Sequence, residues 1–483
     1  MSRPRSEADA LLVPENFIRA IRESGYISLS TALAELIDNS LQAAATAITI
    51  TIARNDSSDL PTISVEDNGV GMAKDELGTC LQFGGSSRFD SRSSFGRFGM
   101  GLPAASLSQA RHVEVTAWQA SIPARTVSLD VDAVARNQGT SLIPRAGVAG
   151  DSASGCRVMW SECDRIEYRR LAWLERSLRK DLGRMFRRFL RKGLVLRING
   201  EPVDPIDPML LSTKLNGVSA RLAFEPLRYE IATTAGQTSF VTVTCSALPV
   251  ARWPHLDNVT KRRAGIVGHG GVSVLRAGRE IAHGWVLMGG KRKENYDDWW
   301  RCEIEFDPAL DEHFGIAVNK QGIRPSAALR EALEPELESI ARVLNGRVRQ
   351  VFEEVKFEAA VEGSCRIAGA ADADLPVIRS SGRSTGALSY HLGADQLSGE
   401  SMFDLTLKQR RLDVTMNIDH PGFSALYRPL QEMGDSGTSV RTALELLLLS
   451  FARSVAAVGA REQDYRDLLR MWGATYGRML QKS

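Results

Sequence analysis

The feature that most narrows the fold is a helix that keeps its polar side chains on one face and is apolar elsewhere. In ALAELIDNSLQAA (residues 32–44), Glu35, Asp38, Asn39 and Gln42 fall at i, i+3, i+4 and i+7. That spacing puts all four on one side of a helix. The other positions are almost all Ala, Leu or Ile, so most of the helix is set to be covered. Burying four polar side chains together is costly unless something satisfies them. A metal–phosphate group with its waters would do so; a wet face on an ordinary amphipathic helix is the plain alternative for the stripe alone. Ser28 or Ser30 offers an N-cap. The next segment, AITITIA (47–53), alternates with a period of two and is rich in β-branched residues, so it reads as a strand.

Two glycine-rich signals follow. A short strand at 62–66 runs into Asp67-Asn68-Gly69-Val70-Gly71. A carboxylate at a strand end can accept a hydrogen bond from an exocyclic amine, and glycines beside it let the chain turn and a flat ligand approach. Asp-x-Gly is also a common hairpin turn. Further on come Gly84-Gly85-Ser86-Ser87 and Gly96-Arg97-Phe98-Gly99-Met100-Gly101, the latter opening onto a helical pattern at 102–108. Free N–H groups at a helix start suit phosphate. No Gly-Lys-Ser/Thr follows, which excludes a Walker A loop, and the glycine spacing excludes a dinucleotide fingerprint.

Taken together, in this order and spacing, these three signals resemble the GHKL superfamily of gyrase B subunits, heat-shock-ninety chaperones, sensor histidine kinases and MutL. The resemblance covers about 28–118. Glu35-x-x-x-Asn39 is similar to its N box, Asp67-x-Gly69-x-Gly71 to its first glycine box, and Gly96-x-x-Gly99-x-Gly101 to its lid motif. It implies ATP and Mg²⁺ as ligands and ATP hydrolysis as the activity. Glu35 would be the general base, Asn39 the metal ligand and Asp67 the holder of the adenine amine. Gly71 would make room for the base, and Gly99 and Gly101 would cradle phosphates. Asp38, Gly69, Met72, Gly84, Gly85, Ser86, Ser87, Gly96, Arg97, Phe98, Met100 and Leu102 complete the expected nucleotide contacts. The family's second glycine box, usually Gly-Thr, has two candidates: Gly139-Thr140, and Ser154-Gly155-Cys156, which puts a cysteine in the threonine position.

The family's branches differ downstream. None of the seven histidines has the acidic neighbour of a phosphoacceptor helix, so a histidine kinase is not expected. The gyrase, MutL and MORC branches carry a transducer domain that sends a lysine to the γ-phosphate. FGIAVNKQ (314–321) is similar to the Asn-Lys-Gln segment of MORC-type ATPases, which makes Lys320 the expected γ-phosphate sensor and, with Glu35, the expected catalytic pair. Whole-chain similarity points to bacterial MORC-like proteins, associated with DNA and with restriction or phage defence. The expected fold is α+β: a GHKL (Bergerat) α/β sandwich at 1–165, a ribosomal-S5-like transducer domain with a basic linking helix at 166–350, a helix end and linker at 351–400, and a smaller α+β domain at 401–483.

Charge does not by itself name a partner, since 60 Lys and Arg balance 58 Asp and Glu. Local clusters do. Arg176, Arg179, Lys180, Arg184, Arg187, Arg188 and Arg191 give one helix a basic face, and Lys261-Arg262-Arg263 and Lys291-Arg292-Lys293 form a second cluster. Such faces neutralise phosphates in a salt-dependent way, so duplex DNA is the expected partner of an ATP-gated homodimer. A chaperone-like or scaffolding switch acting on proteins without DNA is the rival reading. Asn417-Ile418-Asp419-His420-Pro421 reads as a strand-end turn. The six cysteines form no Cys-x-x-Cys pair, which argues against a zinc ribbon and for a reducing compartment. The N-terminus has no apolar core, and the most apolar run, 444–458, is too short for a bilayer; a cytoplasmic protein is expected.

Overall fold

The structure is a computed structural model. It describes the chain apart from residues 1–13, 27, 55–59, 85–99, 136–141, 167–169, 234–235, 317–321, 377, 381–382, 385–386, 409, 459–461 and 481–483. The chain divides into two units, 1–345 and 346–483.

The first half of unit 1 begins with α1 (Pro14–Ser24) and α2 (Leu29–Gln42), then β1 (Ala47–Arg54), β2 (Pro61–Asp67), α3 (Lys74–Thr79), α4 (Gly101–Gln109), β3 (His112–Gln119), β4 (Ile122–Asp130), α5 (Val131–Ala135), β5 (Arg145–Ala146) and β6 (Gly155–Ser161). Next come α6 (Leu171–Met185), α7 (Arg187–Arg191), β7 (Val195–Ile198) and β8 (Glu201–Pro202). Among the described residues these strands form an eight-stranded sheet in the order β5-β4-β3-β6-β2-β1-β7-β8. Neighbours run antiparallel except β1 and β7. Ile48, Ile50 and Ile52 of β1 point to the core while Thr49 and Thr51 face out, as period-two alternation requires. They pack beneath Ala32, Leu33, Leu36 and Ile37 of α2, together with Leu107 of α4 and Leu178 of α6. Ser28 caps α2 by accepting from the Thr31 amide.

A second sheet follows, built from β9 (Arg221–Leu222), β10 (Leu227–Ala232), β11 (Thr238–Ala247), then α8 (Asn258–Arg263), β12 (Gly271–Arg276), β13 (Arg279–Gly284), β14 (Trp300–Phe306) and α9 (Asp311–Phe314). Its order is β10-β11-β14-β12-β13, with β9 also on β11. Residues 271–281, readable as one strand, are a hairpin. Arg276 pairs with Arg279 across a two-residue turn in which Ala277 and Gly278 have φ of 49° and 84°, the backbone of a tight hairpin turn. Helix α10 (Ala327–Asp372) buries Leu329, Leu333, Leu337, Ala341 and Leu344 on this sheet. It runs unbroken through Pro335 and Gly346. Leu333 and Leu337, buried on either side of Pro335, anchor the helix across the one N–H hydrogen bond the proline removes.

Unit 2 contains β15 (Arg379–Ser380), β16 (Arg383–Ser384), β17 (Ser389–Asp395), β18 (Phe403–Lys408), β19 (Arg411–Asn417), α11 (Arg428–Glu432), α12 (Thr438–Val458) and α13 (Glu462–Leu480). The alternation of Phe403, Leu405 and Leu407, then of Leu412, Val414 and Met416, reads as a hairpin, and β18 and β19 form one, with β17 joining it parallel to β19. The expected linker is largely ordered: helix continues to Asp372 and β17 starts at Ser389. The reason is burial. Phe357, Val361 and Leu392 share a core with Phe403, Val414, Tyr427 and Leu449. Small residues that read as spacer are here the packing side of a helix. The buried His420 accepts from the Gly422 amide at Nδ1, and its Nε2 meets the Gly473 carbonyl, a turn-fixing arrangement. No helix among the described residues is long and apolar enough to cross a membrane. All six cysteines are free.

Candidate nucleotide site

Helix α2 presents its stripe inward. Glu35 is 3% exposed and Asp38 is fully buried, while Asn39 and Gln42 are half-buried. The two carboxylates face different neighbours. Glu35 packs against the first residue of α4: a Cβ added to Gly101 would lie 2.1 Å from Glu35 Oε1. Asp38 instead accepts a hydrogen bond from the Arg279 guanidinium of β13, itself buried. The Tyr26 phenol, also buried, sits in the field of Glu35; burial first and that charge second push it far above its usual range.

Asp67 ends β2 against α2. Its Oδ2 accepts from the Ser40 hydroxyl at 2.7 Å and its Oδ1 from the Gly69 amide at 2.9 Å. Burial raises its pKa above the usual carboxylate value, against the opposing pull of those two bonds. The turn after it is strapped on three sides. Val70 donates to the Ala43 carbonyl, Gln119 to the Val70 carbonyl, and Ser154 to the Gly69 carbonyl. Asn68 accepts from the amides of Thr46 and Ala47. Gly71 has φ +70°, and a Cβ there would lie 2.2 Å from the Trp118 carbonyl oxygen. Only glycine fits both constraints. Met72 packs on the first core.

Of the lid residues, Gly84 (φ +77°, open space around it), Met100, Gly101 and Leu102 are placed, with Met100 preceding the first turn of α4. Gly85, Ser86, Ser87, Gly96, Arg97, Phe98, Gly99 and Lys320 lie outside the described residues, as do Gly139 and Thr140. The other second-box candidate is placed: Cys156 on β6 is in register with Asp67 on β2. Cys156 is half-buried, and desolvation and then the Asp67 charge hold its thiol well above its ordinary pKa. Three side chains at this site carry no motif in the sequence: Ser40, Tyr26 and Arg279. Ser40 lies beside Asn39 but off the polar stripe.

A family profile described as "Histidine kinase-, DNA gyrase B-, and HSP90-like ATPase" matches residues 27–150. Those residues form a GHKL domain. A DNA mismatch repair protein MutL from Colwellia psychrerythraea is 31% identical over 125 residues, which is 23% of this chain and 19% of that protein. The chain thus spans about a fifth of that relative's length. The GHKL domain contains the stripe, the Asp67 turn and the start of α4, the elements assembled above.

The basic helix that follows the GHKL domain is not the open cationic face that its sequence suggests. Arg179 pairs with Glu175 at 3.7 Å, and Arg191 with Asp207 at 3.4 Å. Arg184 meets Glu280 at 2.5 Å. Arg187 is buried between Glu280 at 2.6 Å and Glu303 at 2.5 Å. Arg188 bridges Glu303 and Glu305. Arg176 donates to its own helix at the Ala172 carbonyl but remains exposed, as does Lys180. The expected seven-residue DNA face is therefore corrected: Arg184, Arg187 and Arg188 turn to carboxylates of β13 and β14, more than ninety residues downstream.

Proposed function

We propose that the GHKL domain binds Mg-ATP and hydrolyses it, and that nucleotide occupancy switches the pairing of two copies of the chain. The observation that carries this is the contact between the buried Glu35 carboxylate and Gly101 at the start of α4. It brings an acceptor for a water proton to the place where free helix amides would meet a phosphate. Glu35 is the general base. Asp67, oriented by Ser40 and Gly69, accepts from the adenine amine, and Gly71 leaves room for the ring. The half-buried Asn39 supplies an amide oxygen of the kind a hard cation prefers. When bound, Mg²⁺ would be held by Asn39 and the phosphates and would neutralise charge on the transferred group. Asp38, committed to Arg279, leaves the set of direct nucleotide contacts. Lys320, on its resemblance to MORC-type segments, is assigned to the γ-phosphate.

The test is phosphate release and ATP binding by Glu35→Gln. ATP binding should persist while turnover falls by about 10²–10⁴, the range for losing a general base. Wild-type turnover in that variant would remove Glu35 from the mechanism, and no ATP binding by the unsubstituted chain would remove the whole reading.

For the partner we favour duplex DNA, supported by the MutL relative's name and by the cations that stay exposed: Arg176 and Lys180 of α6, and Arg262 and Arg263 of α8. The exposed His269 lies in the field of one of these, Lys180. Desolvation first, and then the Lys180, Arg184 and Arg301 charges, hold its imidazole below the usual value. A MORC-like role in restriction or phage defence would fit this partner. The internal pairing of Arg184, Arg187 and Arg188 favours the rival, a switch acting on protein clients. DNA binding that weakens with salt, and that is reduced by Lys180→Ala with Arg262→Ala, decides for DNA; its absence decides for the rival.

A further inference from the structure

Arg279 reaches the nucleotide helix from a sheet whose sequence begins far downstream. Its guanidinium donates to Asp38 and lies over the Phe186 ring, 5.7 Å from its centroid. Arg279, Asp38 and Phe186 are all buried. Asp38 stands one turn after Glu35 and directly before Asn39. The next residue of β13, Glu280, is gripped by Arg184 and Arg187, and Arg187 continues to Glu303 on β14. A buried ion pair adds little net stability, because desolvation offsets the attraction. What it does add is direction: a planar guanidinium binds a carboxylate in few orientations.

We infer that Arg279 is a positioning residue for the hydrolysis proposed above. It holds α2 through Asp38 so that Glu35 and Asn39 face the nucleotide, and it ties the rotation of that helix to the second sheet. The inference rests on Glu35 acting as the general base. Its control is built into the same hairpin. Arg276, also buried, makes a two-point bond at 2.6 and 2.7 Å to Asp311 of α9, the helix that follows the second sheet, and not to α2.

The experiment compares full-length Arg279→Met, Arg279→Lys and Arg276→Met proteins for unfolding temperature, ATP affinity, kcat and KM. Arg279→Met and Arg276→Met should lose similar stability. Only Arg279→Met should lose kcat, by about tenfold or more, as expected when a reacting group is misplaced by a fraction of an ångström to 1 Å. Its KM and ATP affinity should stay within about threefold, because no nucleotide contact is removed. Arg279→Lys, which keeps a charge for Asp38, should recover part of kcat even if the Met variant fails to fold. Wild-type kcat in folded Arg279→Met, or an equal kcat loss in Arg276→Met, overturns the positioning role. A lack of Glu35-dependent turnover in the unsubstituted chain overturns the hydrolysis reading itself, and the positioning role with it.

Discussion

Gly101→Ala tests the arrangement of Glu35 with a single methyl group. The added Cβ would stand 2.1 Å from Glu35 Oε1, 2.7 Å from its Cδ and 3.0 Å from its Cγ. All three nearest atoms belong to that one side chain, so the carboxylate gives way rather than the backbone. Reaching an ordinary contact of 3.4 Å requires the oxygen to move by at least 1.3 Å. A reacting group misplaced by about 1 Å costs on the order of 10² in rate, or about 2.7 kcal/mol of barrier. Stability should change far less. Overpacking costs about 1–3 kcal/mol, and alanine in place of glycine in a helix returns about 1 kcal/mol. The variant should therefore fold, bind ATP and turn it over about a hundredfold more slowly. Steady-state phosphate release, equilibrium ATP binding and denaturant unfolding measure the three quantities. A folded Gly101→Ala protein within threefold of the wild-type rate would refute the placement of Glu35. Loss of ATP binding alongside turnover would show that Gly101 serves the phosphates and not the base.

Three further outcomes are expected. Gly71→Ala must place a side chain at φ +70° and 2.2 Å from a backbone oxygen; left-handed strain of about 1–2 kcal/mol plus overpacking of about 1–3 kcal/mol should appear in unfolding, and an unchanged stability would contradict the turn geometry. Asp67 has a folded pKa raised mainly by burial, so its ionisation favours the unfolded chain as pH climbs from the ordinary carboxylate value through the folded one. Asp67→Asn should accordingly be at least as stable as wild type at neutral pH, lose that advantage on acidification below the ordinary carboxylate value, and bind ATP more weakly throughout; equal ATP affinity would remove Asp67 from adenine recognition. Arg187→Met leaves buried Glu280 and Glu303 short of their counter-charge and should cost about 3–5 kcal/mol in chemical unfolding, whereas a solvent-facing arginine would cost almost nothing.

What the one-dimensional chain revealed was whatever its own neighbours decide. The stripe on α2, the Asp67 turn and the glycine opening of α4 are legible because each is a spacing within a few residues: 3.6 per turn for the helix, a strand end for the carboxylate, a positive φ for Gly71. The β18–β19 hairpin is legible for the same reason. The 271–281 hairpin was not. Its turn is Ala277-Gly278, without the Asn-Gly or Asp-Gly signal, and every residue of β12 is buried, so no alternation marks where the strand stops. With that turn unseen, Arg279 and Glu280 had no location.

The fates of the charged residues divide along the same line. A periodic row of arginines looks alike whether it faces water or carboxylates, because their partners, Glu280, Glu303 and Glu305, come from other strands. The same is true of Asp38, which shares a face with Glu35 in the helical projection yet is claimed by Arg279. Local sequence thus determined which elements form and where a nucleotide could lie. Tertiary packing alone decided which charges remain available to a ligand, since burying a charge requires a partner and the chain must fold back to supply one.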